Sequence, residues 1–338
     1  MNPHRVILLG FSVLVVNVGC QKESTPKAPE GPSAAAASPK LVLRVGHFPN
    51  VTHAQGLIGH GLTREGDGWF EQRLGTAVEV EWFVYNAGPS AMEAIFAGSI
   101  DLTYVGPSPA INAYVKSRGE ETRIMAGAAI GGSGLVVNAS SGIKAAADFR
   151  GKKVATPQLG NTQDVTCRSW LIANGLKVTQ LGGDVDVLPT ANPDQLSLFE
   201  RKAIDGVWTV EPWVSRLELE AKGIVLIDER DTITTVLVSS ARFLKEHRDL
   251  ARKFAEAHAQ LTEWIAANPD EAQRLVADEL KAETTRPMAP ELLARSWNRL
   301  TFTNRISREP LEKFVDQARS VGFLKDVVDL SRLVEVPR

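Results

Sequence analysis

Pro-Gln-Leu-Gly-Asn-Thr-Gln-Asp, residues 157–164, stands between a short strand pattern at Lys153–Thr156 and a helix pattern that runs to about Asn174. A strand that turns at once into a helix is the repeating unit of α/β folds. Gly160 gives the turn backbone freedom, and Asn161 is a favourable N-cap residue. We call residues 157–164 the cradle, and they predict a strand–turn–helix unit.

The cradle is suited to binding a small anion. Thr162 and Gln163 place uncharged donors in the first helical turn, Asp164 completes a capping pattern with Asn161, and the segment contains no Lys or Arg. The first N–H groups of a helix have no internal partner and lie at the positive end of the helix dipole, so they can hold an anion without a formal charge. The same residues also fit an ordinary capped helix, and that alternative stays open.

Residues 1–20 have the pattern of a signal peptide, with a positive residue near the start and an apolar run at Val6–Val16. The run is too short to span a bilayer comfortably, so we exclude it from the fold. Residues 16–20 are similar to a lipoprotein cleavage site, although Asn17 stands where an aliphatic residue is usual. We therefore expect Cys20 to carry a lipid; the alternative is a free thiol at the end of the leader.

Residues 21–40 predict a disordered tether. They are rich in Pro, Ser and Ala and carry almost no large apolar side chain, so they cannot bury a core. A flexible chain of this length reaches on the order of 25 Å from its anchor. The remaining cysteine, Cys167, shares one helix face with Trp170 and Leu171, which favours a buried structural thiol over a nucleophile, and no disulfide is expected.

The charge balance argues against a nucleic-acid partner. The formal net charge is −2 and no basic run or aromatic-interleaved basic patch is present, so the electrostatic footprint that phosphate backbones require is missing. The sequence also has no repeats or low-complexity segments after residue 40. Its length after that point suits one large lobe or two medium lobes.

Alternating strand and helix patterns predict two α/β lobes. Lobe 1 comprises residues 41–132 plus 236–338, and lobe 2 comprises residues 133–235, with crossings near Gly131–Gly134 and Asp228–Thr234. Helical stripes after Leu250 are expected to pack on lobe 1. The predicted strands are Leu41–His47, Glu79–Tyr85, Asp101–Val105, Arg123–Ala129, Leu135–Asn138, Lys153–Thr156, Val185–Leu188, Asp205–Thr209, Ile224–Ile227 and Thr234–Ser239.

Segments along this pattern carry a family resemblance: Ala94–Asp101, Gly106–Pro109, Ala147–Ala155, the cradle and Val207–Trp213. Together they resemble the solute-binding proteins of ABC importers, in the branch that serves nitrate, taurine and aliphatic sulfonates. The resemblance covers Leu41 to about Ser240. Ala147 stands where the family often has leucine, a difference that bears on local packing.

The resemblance implies a two-lobed, type II periplasmic-binding-protein fold of the Venus-flytrap kind, with a ligand cleft between the lobes at the carboxyl ends of strands. It implies a monomer without catalytic residues, cofactor or metal, which captures a small anionic solute and delivers it to a membrane permease and its ATPase. With the leader, it places the protein on the periplasmic or cell-surface side, lipid-anchored to a membrane.

The resemblance also implies a set of ligand-binding residues. Glu211 is the acid expected to face a ligand amine or a bridging water, and its alternative role is to favour a helix start beside Pro212. Trp208 is either a ligand wall or a core residue. The full set is Asn50, Pro89, Ser90, Gly106, Ser108, Asn161, Thr162, Gln163, Trp208 and Glu211.

Two other classes of function are alternatives. One alternative is metal-ion capture, because three histidines lie close together in the sequence at His47, His53 and His60. Their spacing and the scarcity of neighbouring carboxylates do not match a dedicated metal site. The same fold also hosts enzymes, such as a thiamine-pyrimidine synthase that depends on a cysteine-rich motif, whereas this chain offers only Cys167. No nucleophile–base pair or phosphate loop stands at motif spacing.

The ligand itself stays open at this point. Hydroxyl, amide and N–H donors suit sulfonate, nitrate and bicarbonate alike, and a thiamine-pyrimidine precursor is a further alternative. Gly106–Pro109 resembles the sulfonate and taurine members more than the nitrate members, which favours taurine or an alkyl sulfonate.

Overall fold

The computed structural model describes residues 40–179, 183–325 and 329–337. The chain divides into two compact units, Met1–Ser38 and Pro39–Arg338, and the described residues belong to the second. The predicted signal peptide, Cys20 and the predicted tether up to residue 39 lie outside them. Within the described ranges, no helix is both long and apolar enough to cross a bilayer.

The strands form two sheets. In chain order they are β1 (Leu41–His47), β2 (Val78–Val84), β3 (Leu102–Val105), β4 (Thr122–Gly131), β5 (Ser133–Val137), β6 (Lys153–Thr156), β7 (Asp186–Pro189), β8 (Gly206–Val210), β9 (Ile224–Glu229), β10 (Ile233–Ser240) and β11 (Leu300–Phe302). One sheet has the order β11-β4-β10-β3-β1-β2 and the other β7-β6-β8-β5-β9. In the first, β1 is parallel to β2 and β3, and β10 is antiparallel to β3 and β4. In the second, β6 is parallel to β7 and β8.

Helices cover both sheets. They are α1 (Ala54–Glu65), α2 (Trp69–Leu74), α3 (Gly88–Phe96), α4 (Pro107–Lys116), α5 (Thr162–Ala173), α6 (Asn192–Glu200), α7 (Trp213–Leu219), α8 (Ala241–Glu246), α9 (Arg248–Ala267), α10 (Pro269–Thr284), α11 (Pro290–Trp297) and α12 (Glu309–Ser320). We call the six-stranded sheet with its helices the first lobe, and the five-stranded sheet with its helices the second lobe.

The core follows these layers. In the first lobe, one apolar cluster joins β1 to α1, α2, α9 and α10, with Phe70 and Phe254 stacked at 4.3 Å. A second cluster joins α3, α4 and α12, and Phe314 of α12 lies in it. Of the later helices, α9, α10 and α12 thus contribute to the core of the first lobe. The second lobe buries α5 in one cluster and α6 with α7 in another.

The chain passes between the sheets at two short segments. Gly132 separates β4 from β5, and residues 230–232 separate β9 from β10. Gly131 and Gly132 have φ angles of 81° and 69°, a left-handed backbone that favours glycine. These segments coincide with the crossings predicted from the sequence.

Some boundaries differ from the predictions. Helices α3 and α4 begin at Gly88 and Pro107, earlier than the predicted starts at Ala91 and Ala110. Proline lacks an N–H and has a fixed φ, which fits the first turn of a helix, so the proline-containing turns belong to the helices. The edge strand β11 was not predicted, because a three-residue run has no readable period.

Candidate ligand-binding site

Four helices begin at one small cavity between the two sheets. Gly88 of α3, Gly106 just before α4, Thr162 of α5 and Asn192 of α6 all line it. The volume of the cavity is about 20 Å³ in this closed arrangement. Each helix start contributes the positive end of its dipole. The cavity is therefore surrounded by positive potential from the backbone.

The cradle supplies the best-defined of these helix starts. Asn161 caps α5: its Oδ1 accepts the N–H of Asp164 at 2.8 Å, and its carbonyl accepts the N–H of Val165 at 3.0 Å. The N–H groups of Thr162 and Gln163 have no acceptor within the described chain, and both residues line the cavity. These two N–H groups are available to a ligand.

A buried ion pair holds the cradle in shape. The Asp164 carboxylate accepts hydrogen bonds from the Gly160 N–H at 2.9 Å, the Thr156 hydroxyl at 2.8 Å and Arg168 Nε at 3.0 Å. Arg168 also donates to the Val187 carbonyl at 3.1 Å. Because Asp164 neutralises this guanidinium, the helix start gains rigidity without gaining a charge.

The lobes touch each other across the cavity. The Ser108 N–H donates to Thr162 Oγ1 at 3.3 Å, and Trp213 Nε1 donates to Asn50 Oδ1 at 3.0 Å. A Cβ atom on Gly106 would lie 2.3 Å from Thr162 Oγ1, which is far inside van der Waals contact. Glycine at position 106 therefore permits this closed arrangement.

His53 lines the cavity as a neutral ring. Burial, and then the neighbouring His47, lower the pKa of His53 well below its ordinary value. Its Nδ1 accepts the Phe48 N–H at 3.4 Å, so the remaining proton of the neutral ring resides on Nε2. The ring also packs against Phe48, with centroids 4.3 Å apart. His53 thus offers an uncharged donor.

The cavity carries no formal charge. Among the described residues, no Lys, Arg, Asp or Glu lines it. Ser108 Oγ is buried nearby without a hydrogen-bond partner, and Asn192 accepts from the Thr209 hydroxyl at 3.0 Å, which leaves its amide N–H groups as donors. Neutral donors around positive helix ends can stabilise a small anion.

The structure brings together half of the residues that the sequence predicted for the ligand. Pro89 and Ser90 lie in the first turn of α3, but the cavity is lined by the residues just before them, and Ser90 Oγ donates to the Ala87 carbonyl at 2.9 Å. Ser108 lies behind the lining. The predicted residues that do line the cavity are Asn50, Gly106, Asn161, Thr162 and Gln163.

Trp208 and Glu211 do not line the cavity. Trp208 is buried in the core of the second lobe, where its Nε1 donates to Glu229 at 3.2 Å. Glu211 is fully buried and accepts hydrogen bonds from Ser296 at 2.9 Å and Arg299 at 3.0 Å. Side chains already committed to internal partners cannot turn to a ligand, so the structure corrects these two assignments.

The comparisons with known proteins agree with this architecture. Residues 36–280 match the model of the NMT1-like family. The chain belongs to the NMT1-like family. This membership confirms the resemblance that the sequence motifs indicated, and the two-sheet α/β fold of periplasmic binding proteins is confirmed with it.

Named relatives of this NMT1-like chain include a putative binding protein of Brucella abortus (strain 2308), which is 29% identical over 210 residues, 62% of this chain and 57% of the relative. The taurine-binding periplasmic protein of Escherichia coli (strain K12) is 25% identical over 215 residues, 61% of this chain and 63% of that protein. The matches thus span less than two thirds of these relatives.

A solved structure shares the fold. The alkanesulfonate-binding protein SsuA from Xanthomonas axonopodis pv. citri, bound to MOPS, has a TM-score of 0.71 and 19% sequence identity. The match covers 89% of the NMT1-like chain and 100% of SsuA. At this identity the likeness describes the fold.

Several residues that line the cavity of the NMT1-like chain were not predicted from its sequence. Asn86 lies between β2 and α3, and Asn192 is the first residue of α6. A polar residue between a strand and a helix is the same pattern that identified the cradle, so both positions could have been predicted. Thr234 and Val210 reach the cavity from strands near the crossings, where no local motif marks them. The remaining missed residues are Phe48, Thr52, His53, Ala87, Gly88, Pro109 and Pro157.

Proposed function

We propose that this protein is the solute-binding lipoprotein of an ABC importer and that it captures a small organic sulfonate. The observation that supports this most is the meeting of four helix starts at a cavity without charged side chains. A sulfonate has three equivalent oxygens, which suit donors that arrive from several directions.

The cavity chemistry favours an alkyl sulfonate over taurine. Taurine carries an ammonium group, which needs a carboxylate or several oxygen acceptors when it is desolvated. The described lining has no carboxylate, and Asn50 Oδ1 already accepts from Trp213. The names of the Escherichia coli and Xanthomonas proteins support the sulfonate class. Nitrate or bicarbonate is the alternative, and the small cavity favours it.

A titration series tests the ligand. Ethanesulfonate, taurine, nitrate and bicarbonate are added to the purified protein, and binding is measured by thermal shift and calorimetry. We expect ethanesulfonate to bind most tightly. Preferential binding of nitrate or bicarbonate would support the alternative, and no binding of any anion would contradict the proposal.

Two variants at the cradle test the site. Thr162→Ala removes a donor and the contact to Ser108, so affinity should fall by roughly tenfold to a hundredfold. Gln163→Asp places a negative charge at the helix start and should weaken binding further. Gln260→Asp is the matched control, because Gln260 lies on the exposed face of α9 beside Arg73. Wild-type binding by both cradle variants would place the anion elsewhere.

The proposed delivery route needs a membrane anchor. The leader and the Pro-, Ser- and Ala-rich residues 21–40 support attachment through Cys20 on the periplasmic or cell-surface side, beside a permease and its ATPase. Cys20→Ser should release the protein from the membrane fraction of cells. Retention of this variant at the wild-type level would rule out the lipid anchor.

A further inference from the structure

A second polar cluster lies in the first lobe, outside the cavity lining. His47 ends β1, His60 lies on α1, and Glu279 and Glu283 lie one turn apart on α10. His47 Nε2, His60 Nδ1 and Glu283 Oε1 form a triangle: the two nitrogens are 3.0 Å apart, and Glu283 lies 3.0 Å from His47 and 2.9 Å from His60. Glu279 Oε1 lies 3.0 Å from His60 Nδ1.

The three distances among His47, His60 and Glu283 approach the edges of one face of a tetrahedral metal site. Zinc with nitrogen and oxygen ligands at 2.0–2.2 Å has neighbouring ligand atoms about 3.3 Å apart. The observed edges are a few tenths of an ångström shorter, so a small outward movement of the side chains accommodates an ion. Two imidazoles with a carboxylate are also a donor set that first-row divalent metals prefer.

The cluster is short of positive charge and of donors. The side chains of Glu279 and Glu283 are only 2% and 3% exposed, and Glu283 Oε2 is buried without a hydrogen-bond partner in the part of the chain that the structure describes. His60 Nδ1 carries at most one hydrogen, yet three acceptor or donor atoms lie within 3.0 Å of it. A single cation among His47 Nε2, His60 Nδ1 and Glu283 Oε1 satisfies these three atoms at once.

The surroundings can orient the ligands and admit an ion. His47 Nδ1 lies 3.4 Å from the Phe48 carbonyl, a contact that leaves Nε2 for a metal, as in many metal sites. Trp82 packs on both rings, at 5.7 Å from His47 and 5.9 Å from His60. Glu283 also lines an open groove, which provides an entry path.

We propose that His47, His60 and Glu283 bind a divalent transition-metal ion of the zinc class, with Glu279 as a further carboxylate beside His60. The ion joins α10 to α1 and to the end of β1. It fixes the segment after His47 that leads into the solute cavity. This role is separate from the solute site and does not depend on the solute's identity.

Arg64 is the arginine beside this cluster, and it competes with a metal ion for the site. Its Nη2 donates to Glu279 Oε1 at 2.8 Å and lies 3.3 Å from His60 Nε2. The Arg64 side chain is 43% exposed, so it can swing into solvent when a metal binds beside it. The sequence alternative that grouped His53 with His47 and His60 is corrected, because His53 turns to the solute cavity.

Calorimetry with Zn²⁺ on the full chain, after treatment with a chelator, tests the proposal. We expect one ion per chain and at least a roughly hundredfold loss of affinity in His60→Ala and in Glu283→Gln. His247→Ala is the control, since His247 lies outside the cluster beside Phe243, and it should bind as wild type. The visible spectrum of bound Co²⁺ should report four-coordination.

A third variant keeps the test decisive if the cluster variants fold poorly. Arg64→Met removes an exposed competing cation, so Zn²⁺ affinity should rise by roughly twofold to fivefold. No saturable binding to the wild type, wild-type affinity in the His60 and Glu283 variants, or unchanged or weaker binding by Arg64→Met would each overturn the proposal.

Discussion

Glu211 and Arg299 form a buried ion pair beside the crossing from β4 to β5. The carboxylate lies 3.0 Å from Arg299 Nη1 and accepts the Ser296 hydroxyl at 2.9 Å, while the Glu211 N–H donates to the Gly132 carbonyl at 2.8 Å. Burial raises the pKa of Glu211, although Arg299 and the serine hydroxyls oppose that shift. This acid therefore stabilises the crossing and has no free oxygen for a ligand.

Glu211→Gln should destabilise the fold by about 2–4 kcal/mol, because it leaves the Arg299 guanidinium with less compensation in a buried place. Urea unfolding measures the change. Glu220→Gln is the matched control: Glu220 is exposed and pairs with Arg216 at 2.7 Å, so it should cost under about 1 kcal/mol. Equal losses in the two variants would contradict a structural role for Glu211.

His258 gives the fold a defined acid sensitivity. Burial lowers its pKa from 6.5 to about 4, although its hydrogen bond to the Gly127 carbonyl opposes the shift. Since the unfolded chain binds the proton more readily, the contribution is complete above pH 6.5 and is lost as the pH falls towards about 4. The difference is worth about 3 kcal/mol.

His258→Gln should remove this component. Stability measured by urea unfolding at several pH values should fall less steeply between pH 6.5 and about 4 in the variant than in the wild type. His53 titrates in the same direction and is present in both proteins, so it cancels in the comparison. Identical slopes would show that His258 is protonated in the native state at mild acidity.

Single residues also show how far sequence reasoning reaches. Asn161 and Thr162 were identified from a local capping pattern, because a helix start is specified by a few adjacent residues. Glu211 was predicted to lie in the cleft. Its ion pair with Arg299 could not be predicted, because Arg299 is distant in sequence and no local pattern indicates the pair. The acids that meet His47 and His60 were missed for the same reason.

At the scale of elements, the contact between the starts of α4 and α5 controls closure. Gly106 has a φ of −67°, which alanine adopts without strain, so the separate lobes tolerate a side chain there. In the closed arrangement, however, the added Cβ lies 2.3 Å from Thr162 Oγ1. A substitution at Gly106 therefore acts on closure and leaves folding intact.

Gly106→Ala should lower anion affinity tenfold or more by calorimetry, with an unchanged unfolding midpoint in the absence of ligand. The double variant Gly106→Ala, Thr162→Ala removes the clashing oxygen and should bind no worse than Thr162→Ala alone. If the two effects simply add, the steric explanation is wrong.

The elements themselves were largely predictable. The strand Leu41–His47 was predicted with its exact bounds, because a continuous apolar run bounded by a turn marks a buried parallel strand. The starts of α3 and α4 were placed too late at the proline turns. The pairing of β11 with β4 depends on contacts distant in sequence, which a single chain's periodicity does not contain.

At the scale of the whole molecule, the two sheets are joined by short crossings, by the later helices and by the contacts across the cavity. Helix α12 reaches the second lobe, where the Ser320 hydroxyl donates to Ser169 Oγ at 3.0 Å. Solution scattering should give a smaller radius of gyration with saturating ligand than without it, as the lobes rotate about Gly131 and Gly132. An unchanged profile would indicate a rigid cleft.

Because the lining of the cavity is uncharged, anion affinity should depend little on the salt concentration of the medium. Salt screens exposed charges within about 10 Å at 0.1 M, but it acts weakly on buried dipoles. Anion affinity should therefore stay nearly constant from fresh water to seawater salinity, measured with a salt whose anion does not bind. A receptor that bound its solute through exposed lysines would lose affinity as the salinity rose. A receptor that binds through helix starts keeps its affinity in both fresh and salt water.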